Sequence, residues 1–173
     1  MLSGNKGIGK STLINHFLNF VYDKDNYDLE NRTISEKSNF NQQYKNDSFG
    51  NIIYLSGDSF KNIKVDDIRN LKSNLFKSTL LKKERFVIFD DVEIFNTNSL
   101  NALLKIIEEP TKNNYFILIN NKTKPLIDTI YSRSLDLKII LTDKKRIQII
   151  ENLIKNNNLE VKVDYNLINL SPG

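Results

Sequence analysis

Apolar positions first fall into a helical rhythm over Lys10–Tyr22, where Leu13, Phe17 and Phe20 recur at spacings of four and three. That spacing predicts an amphipathic helix with these side chains on its apolar face. The rhythm is then lost over residues 23–49, which fill with Asn, Asp, Lys, Ser and Gln and read as a long surface insertion, in part mobile. NIIYL at 51–55 predicts a strand. VDDIRNLKSNLF at 65–76 predicts a helix with Ile68, Leu71 and Leu75 on one face.

RFVIFDD, residues 85–91, is a continuous apolar run that ends abruptly in two acids. Because it does not alternate, it suits a strand buried on both faces of a parallel sheet. Residues 97–109 set Leu100, Leu103, Leu104 and Ile107 at helical spacing, and Pro110 ends the helix by pushing its predecessor out of helical torsions. NYFILIN at 114–120 predicts another buried strand and LDLKII at 135–140 a third. From Thr142 the pattern changes: a candidate N-cap precedes Ile147, Ile150 and Ile154 on one face. Strands alternating with helices predict an α/β fold, a doubly wound parallel sheet over residues 1–141, with 142–173 beginning a small helical domain. No internal repeat is evident.

The length of 173 residues suits one compact domain plus the start of another. Hydrophobic residues make up 39% and charged residues 27%, an ordinary balance for a soluble protein. No apolar run approaches the roughly 20 residues of a spanning helix, and the first residues lack signal-peptide character, so the expected location is cytoplasmic and away from membranes. Cysteine is absent and His16 is the single histidine, which excludes disulfides, thiolate zinc sites and histidine clusters. His16 itself reads as a partly buried helix residue. The net charge of +4 is spread as scattered lysine among asparagine, a compositional bias that gives little indication of a basic stripe.

The strongest chemical signal is GNKGIGKS, Gly4 to Ser11, which fits G-x-x-x-x-G-K-[ST] at every fixed position. Glycine-rich backbone cradles phosphate, and the following helix turns its positive end toward the same point. Lys10 would reach the outer phosphates and Ser11 a Mg²⁺ ion. At the tip of the FVIFDD strand, Asp90 suits the water shell of Mg²⁺ and Asp91 the polarisation of an attacking water. Asp91 stands where glutamate is usual and is one methylene shorter, which supports nucleotide binding better than hydrolysis. Asn120 and Asn121 end the next strand, where an amide could orient water or touch a phosphate. Arg133, in YSRS, is placed to enter a neighbouring subunit's site or to form a surface ion pair.

The ordered set GNKGIGKST, FVIFDDVEIFNTNSLNALLKIIEEP, FILINN and TIYSRS resembles the clamp-loader branch of the AAA+ ATPases, most narrowly its delta-prime members of bacterial DNA polymerase III. The resemblance covers the loop and about residues 51–140. It implies a five-stranded parallel sheet followed by a helical lid, ATP and Mg as cofactors, and a role in loading the sliding clamp onto primed DNA. Other clamp-loader subunits, gamma/tau and delta, would be the partners. It also implies residue roles: Gly4, Asn5, Lys6, Gly7, Ile8, Gly9, Lys10, Ser11 and Thr12 for nucleotide, Ser11 and Asp90 for Mg, and Asp91 and Asn121 for catalysis. Arg133 would act in trans as an arginine finger, and Ser134 replaces a usual cysteine. The four-cysteine zinc module of many members is absent. Two alternatives remain open within this reading, an ATP-hydrolysing motor subunit and a nucleotide-independent scaffold. A small-molecule kinase would leave the NALLK-x-x-EEP segment and the SRS turn unexplained.

Only Met1 to Ser3 precede the loop, whereas such a loop hangs from a buried strand, and LSPG ends where the family continues. The expectation is therefore further in-frame coding sequence upstream, and marginal stability for a chain with these ends.

Overall fold

The computed structural model describes residues 1–57, 70, 71, 73, 75, 84–158 and 171–173. Its strands are β1 (Leu2–Ser3), β2 (Tyr27–Asp28), β3 (Thr33–Ile34), β4 (Ile52–Ser56), β5 (Arg85–Asp90), β6 (Asn114–Asn120) and β7 (Leu137–Lys138). The helices are α1 (Lys10–Tyr22), α2 (Asn39–Lys45), α3 (Thr97–Glu108), α4 (Asp128–Tyr131) and α5 (Asp143–Asn156). Five strands form a wholly parallel sheet in the order β4–β5–β6–β1–β7, as the alternating pattern predicts. The tips of β1 and β6 lie side by side, with Ser3 opposite Asn120.

Strand β5 shows why its sequence does not alternate. Val87 and Phe89 enter one core with Leu100, Leu103 and Ile106 of α3, while Phe86 and Ile88 enter another with Ile14 and Leu18 of α1. Successive side chains point to opposite faces, so a strand covered on both sides must be apolar throughout. Helix α3 starts where the Asn96 side chain accepts the Ser99 N–H at 2.9 Å, and it ends one residue earlier than expected. The expected helix over 65–76 falls mostly outside the described residues; its Leu71 and Leu75 are buried in the α3 core. Among the described residues no helix is long and apolar enough to cross a membrane.

Four expectations change. On α1 the buried face carries Ile14 and Leu18, whereas Leu13 and Phe17 are half-exposed. The helix is apolar on more than one face, so spacing alone picked the wrong stripe. Residues 23–49 hold a hairpin, β2 with β3, and helix α2. Ser38 caps α2 by accepting the Asn41 N–H at 3.0 Å and donates to Asp23 at 2.7 Å, and Phe40 packs against Tyr22 and Phe49. Few but large aromatic residues fasten this segment, and its polar side chains serve as caps. Strand β7 is two residues long, not six. Thr142 does occupy the N-cap position of α5 but makes no side-chain capping bond, and Ile150 is the buried member of the expected apolar face.

Candidate functional site

The glycine loop leaves β1 beside the end of β6, where the Gly4 N–H donates to the Asn120 carbonyl at 3.1 Å. A side chain on Gly4 would stand 2.6 Å from the Ile139 carbonyl oxygen, so only glycine lets these backbones approach. Gly9, at φ 93°, is the left-handed residue that turns the loop into α1. The first turn of α1 has neither a side-chain cap nor an acidic residue, so the positive end of its dipole is uncompensated. Lys10 is buried, and its ammonium donates to the carbonyls of Gly4 and Asn5, each at 2.7 Å. Burial holds it below the ordinary lysine range, against the opposing pull of Asp90, Glu93 and Asp91.

Opposite the loop, the ends of β5 and β6 bring Asp90, Asp91 and Asn121 together. The Asp91 N–H donates to Asp90 Oδ1 at 2.8 Å, and Asp91 itself sits at φ 52°. The Asn121 side-chain amide donates to Asp91 Oδ1 at 2.6 Å and to Asp90 Oδ1 at 3.3 Å. Burial pushes the Asp91 carboxyl above the usual carboxylate range; the Asn121 bond opposes this and the neighbouring Asp90 adds to it. The Tyr54 hydroxyl, on β4, donates to Asp90 Oδ2. Partial burial and this bond to an anion both raise the phenol above its ordinary range.

These groups share one cavity of about 790 Å³, lined by Lys6 to Thr12 together with Asp90, Asp91 and Asn121. Of the expected nucleotide residues, Gly4 and Asn5 are not among its walls and contribute the carbonyls that hold Lys10. Ile149 and Leu153 of α5, which the sequence reading missed, give the cavity an apolar wall. Glu93 was also missed. It is 5% exposed and accepts from the Asn121 N–H, the Thr123 N–H and the Thr123 hydroxyl. The signal available was an acid inside the apolar stretch after FDD.

Two expected residues lie apart. Asn120 donates to the Tyr131 hydroxyl at 3.0 Å and accepts from the Lys122 N–H, a role in holding the turn. Arg133 is outside the cavity, half-exposed and paired with Glu108 at 2.5 Å. His16 is partly buried against Tyr27, as expected. No group of three or more His, Cys, Asp or Glu side chains among the described residues could hold a metal by itself. A hydroxyl at Ser11 and a carboxylate at Asp90 lining the same cavity nevertheless fit Mg²⁺, a hard cation commonly held by one or two carboxylates together with substrate phosphates.

The family model described as DNA polymerase III, delta subunit, matches residues 1–143. The chain is similar to DNA polymerase III subunit delta' of Buchnera aphidicola subsp. Baizongia pistaciae, 38% identical over 85 residues, which are 49% of this chain and 25% of that one. It is also similar to DNA polymerase III subunit gamma of Buchnera aphidicola subsp. Schizaphis graminum, 26% identical over 159 residues, 90% of this chain and 42% of that one. The resemblance read from the motifs is thus borne out. Among solved structures, a DNA polymerase III gamma subunit-related protein of Thermotoga maritima superposes with a TM-score of 0.59 at 21% identity, covering 90% of this chain and 47% of that one. At that identity the likeness establishes the AAA+ fold. The chain spans less than half the length of these relatives.

Proposed function

From the premise that the chain belongs to the DNA polymerase III delta-subunit family, we propose that it is a clamp-loader subunit of delta-prime type that binds ATP with Mg²⁺. It helps a ring of gamma/tau and delta subunits load the sliding clamp onto primed DNA in the cytoplasm. One observation carries the nucleotide reading: the uncapped start of α1 and the Lys10 ammonium face Asp90, Asp91 and Asn121 across a single cavity. A polar end rich in donors suits phosphates, and the apolar wall of Ile149 and Leu153 suits a base.

In this reading Lys10 exchanges its two carbonyl partners for phosphate oxygens, and the first N–H groups of α1 receive the same anion. Ser11 and Asp90 would hold Mg²⁺, which would supply charge neutralisation at the phosphates. Asp91, steadied by Asn121, faces the position of an attacking water. Arg133 serves a neighbour's nucleotide, a role supported by its exposure and by its place outside its own cavity.

The test is equilibrium binding of a fluorescent ATP analogue to the full chain. Binding that Lys10→Ala abolishes is the expected result; no binding at millimolar nucleotide overturns the reading and favours a scaffold. The contact between Asp91 and Asn121 supports a second reading, a motor subunit of the same complex, for which Lys10-dependent ATP turnover by the chain alone is the mark.

A further inference from the structure

Asp90 has no free oxygen. Its Oδ1 accepts the Asp91 N–H at 2.8 Å and the Asn121 amide at 3.3 Å, and its Oδ2 accepts the Tyr54 hydroxyl. The first of these donors is backbone, and the second comes from a buried side chain that also holds Asp91. Tyr54 differs in kind: it stands on the edge strand of the sheet and is 46% exposed.

Strand parity explains how it reaches the carboxylate. On β4, Ile53 and Leu55 pack into the α3 core and Ile52 into the α1 core, so Tyr54 points to the α1 side. On β5, Phe86 and Ile88 face α1, and Asp90 continues that row. Tyr54 pairs in register with Ile88, one alternate position before Asp90. Phenol and carboxylate therefore meet over the edge of the sheet, on the side where α1 presents Ser11. Ser11 lines two spaces, the main cavity and a neighbouring one of about 620 Å³ whose walls include Tyr44, Phe49, Ile52 and Tyr54. A ring released from Asp90 has an aromatic-walled place to go.

Resting on the nucleotide reading above, the geometry points to Tyr54 as a positioning residue that occupies the outer oxygen of Asp90 and yields it when Mg²⁺ arrives with nucleotide. Mg²⁺ dehydrates reluctantly and commonly keeps several of its waters, and such a water is a hydrogen-bond donor, as the phenol is. The two donors compete at one oxygen, so the strength of the phenol contact sets how much Mg²⁺ adds to nucleotide affinity.

The experiment compares dissociation constants of a fluorescent ATP analogue in Mg²⁺ and in EDTA for the full chain and for Tyr54→Phe. Phenylalanine keeps the ring and removes only the competing donor. The expected result is that the ratio of EDTA to Mg²⁺ dissociation constants rises about tenfold in Tyr54→Phe, the scale of one hydrogen bond to a charged group. A ratio unchanged or lowered overturns the inference while leaving nucleotide binding intact. Absence of binding in the unaltered chain under both conditions overturns the nucleotide reading and this inference with it. A second readout uses the seven tyrosines and the lack of tryptophan. Release of a phenol from a carboxylate relieves quenching, so Mg²⁺ with nucleotide raises tyrosine emission in the unaltered chain and not in Tyr54→Phe. Equal responses of the two proteins overturn the exchange.

Discussion

Both carboxylate oxygens of Glu93 accept the backbone N–H of Asn121, each at 3.1 Å, and so fasten the turn after β5 to the tip of β6. The two residues are 28 positions apart in the chain, yet this contact aims the Asn121 side chain at the aspartate pair. Glu93→Ala leaves the N–H groups of Asn121 and Thr123 without their acceptor. The expected loss is about 2–3 kcal/mol of unfolding free energy, read from urea denaturation, with weaker nucleotide binding beside it.

Asp91 works in the opposite direction. Its carboxyl is raised above the ordinary value of 3.8, chiefly by burial. Between that value and the raised one, the folded chain holds more protons than the unfolded chain, so this group's contribution to stability falls as pH rises through the window. At neutral pH the charged form is a net cost. Asp91→Asn removes the charge, keeps an acceptor for Asn121 and suits a left-handed residue. Its expected effect is a gain of about 1 kcal/mol at neutral pH, with the difference from the unaltered chain shrinking on acidification. Denaturation midpoints across pH give the answer.

Ser38→Ala tests whether residues 23–49 are integral to the fold. The hydroxyl caps α2 and also bonds Asp23 and Asn19 at the end of α1. A loss of about 1 kcal/mol or somewhat more is expected, with faster amide exchange spread over both α1 and α2. Exchange confined to α2 would show that the segment opens on its own.

Arg133 gives a prediction that separates stability from assembly. Its pair with Glu108 is half-exposed on both sides, and such pairs contribute roughly 0–1 kcal/mol. Arg133→Ala is expected to leave the thermal midpoint almost where it was. In a reconstituted clamp loader the same change is expected to lower DNA-stimulated ATP turnover by on the order of 10³-fold. Unchanged turnover removes the trans role.

The loop from Gly4 to Ser11 and the aspartates after FVIF stand out in the sequence because the phosphate-loop pattern fixes residue types at short, constant spacing, and the structure brings Lys6 to Ser11 and both aspartates to one cavity. Strands β5 and β6 were legible because burial on both faces leaves an unbroken apolar run. Leu13 and Phe17 misled because α1 has more apolar residues than one face needs, and only the position of β5 decides that Ile14 and Leu18 go inward. Tyr54, Ile149 and Leu153 were not legible, since each meets its partners across the fold, and Glu93 showed only as an acid among apolar neighbours. Tyr54 and Asp90 are separated by 36 residues, and no local pattern encodes such a meeting.

The short strand β1 lies between β6 and β7, and the residue after it bonds back to Asn120. The glycine loop and Asn121 therefore leave neighbouring strands of one sheet, side by side. Helix α5 follows β7 after residues 139–142, of which Ile139 donates its N–H to the Ser3 carbonyl at 2.7 Å. Ile149 and Leu153 of this helix line the cavity. The apolar wall of the cavity and its glycine loop are thus anchored within a few residues of each other on neighbouring strands, so the spacing between them is set by backbone hydrogen bonds as well as by the side chains that line the space.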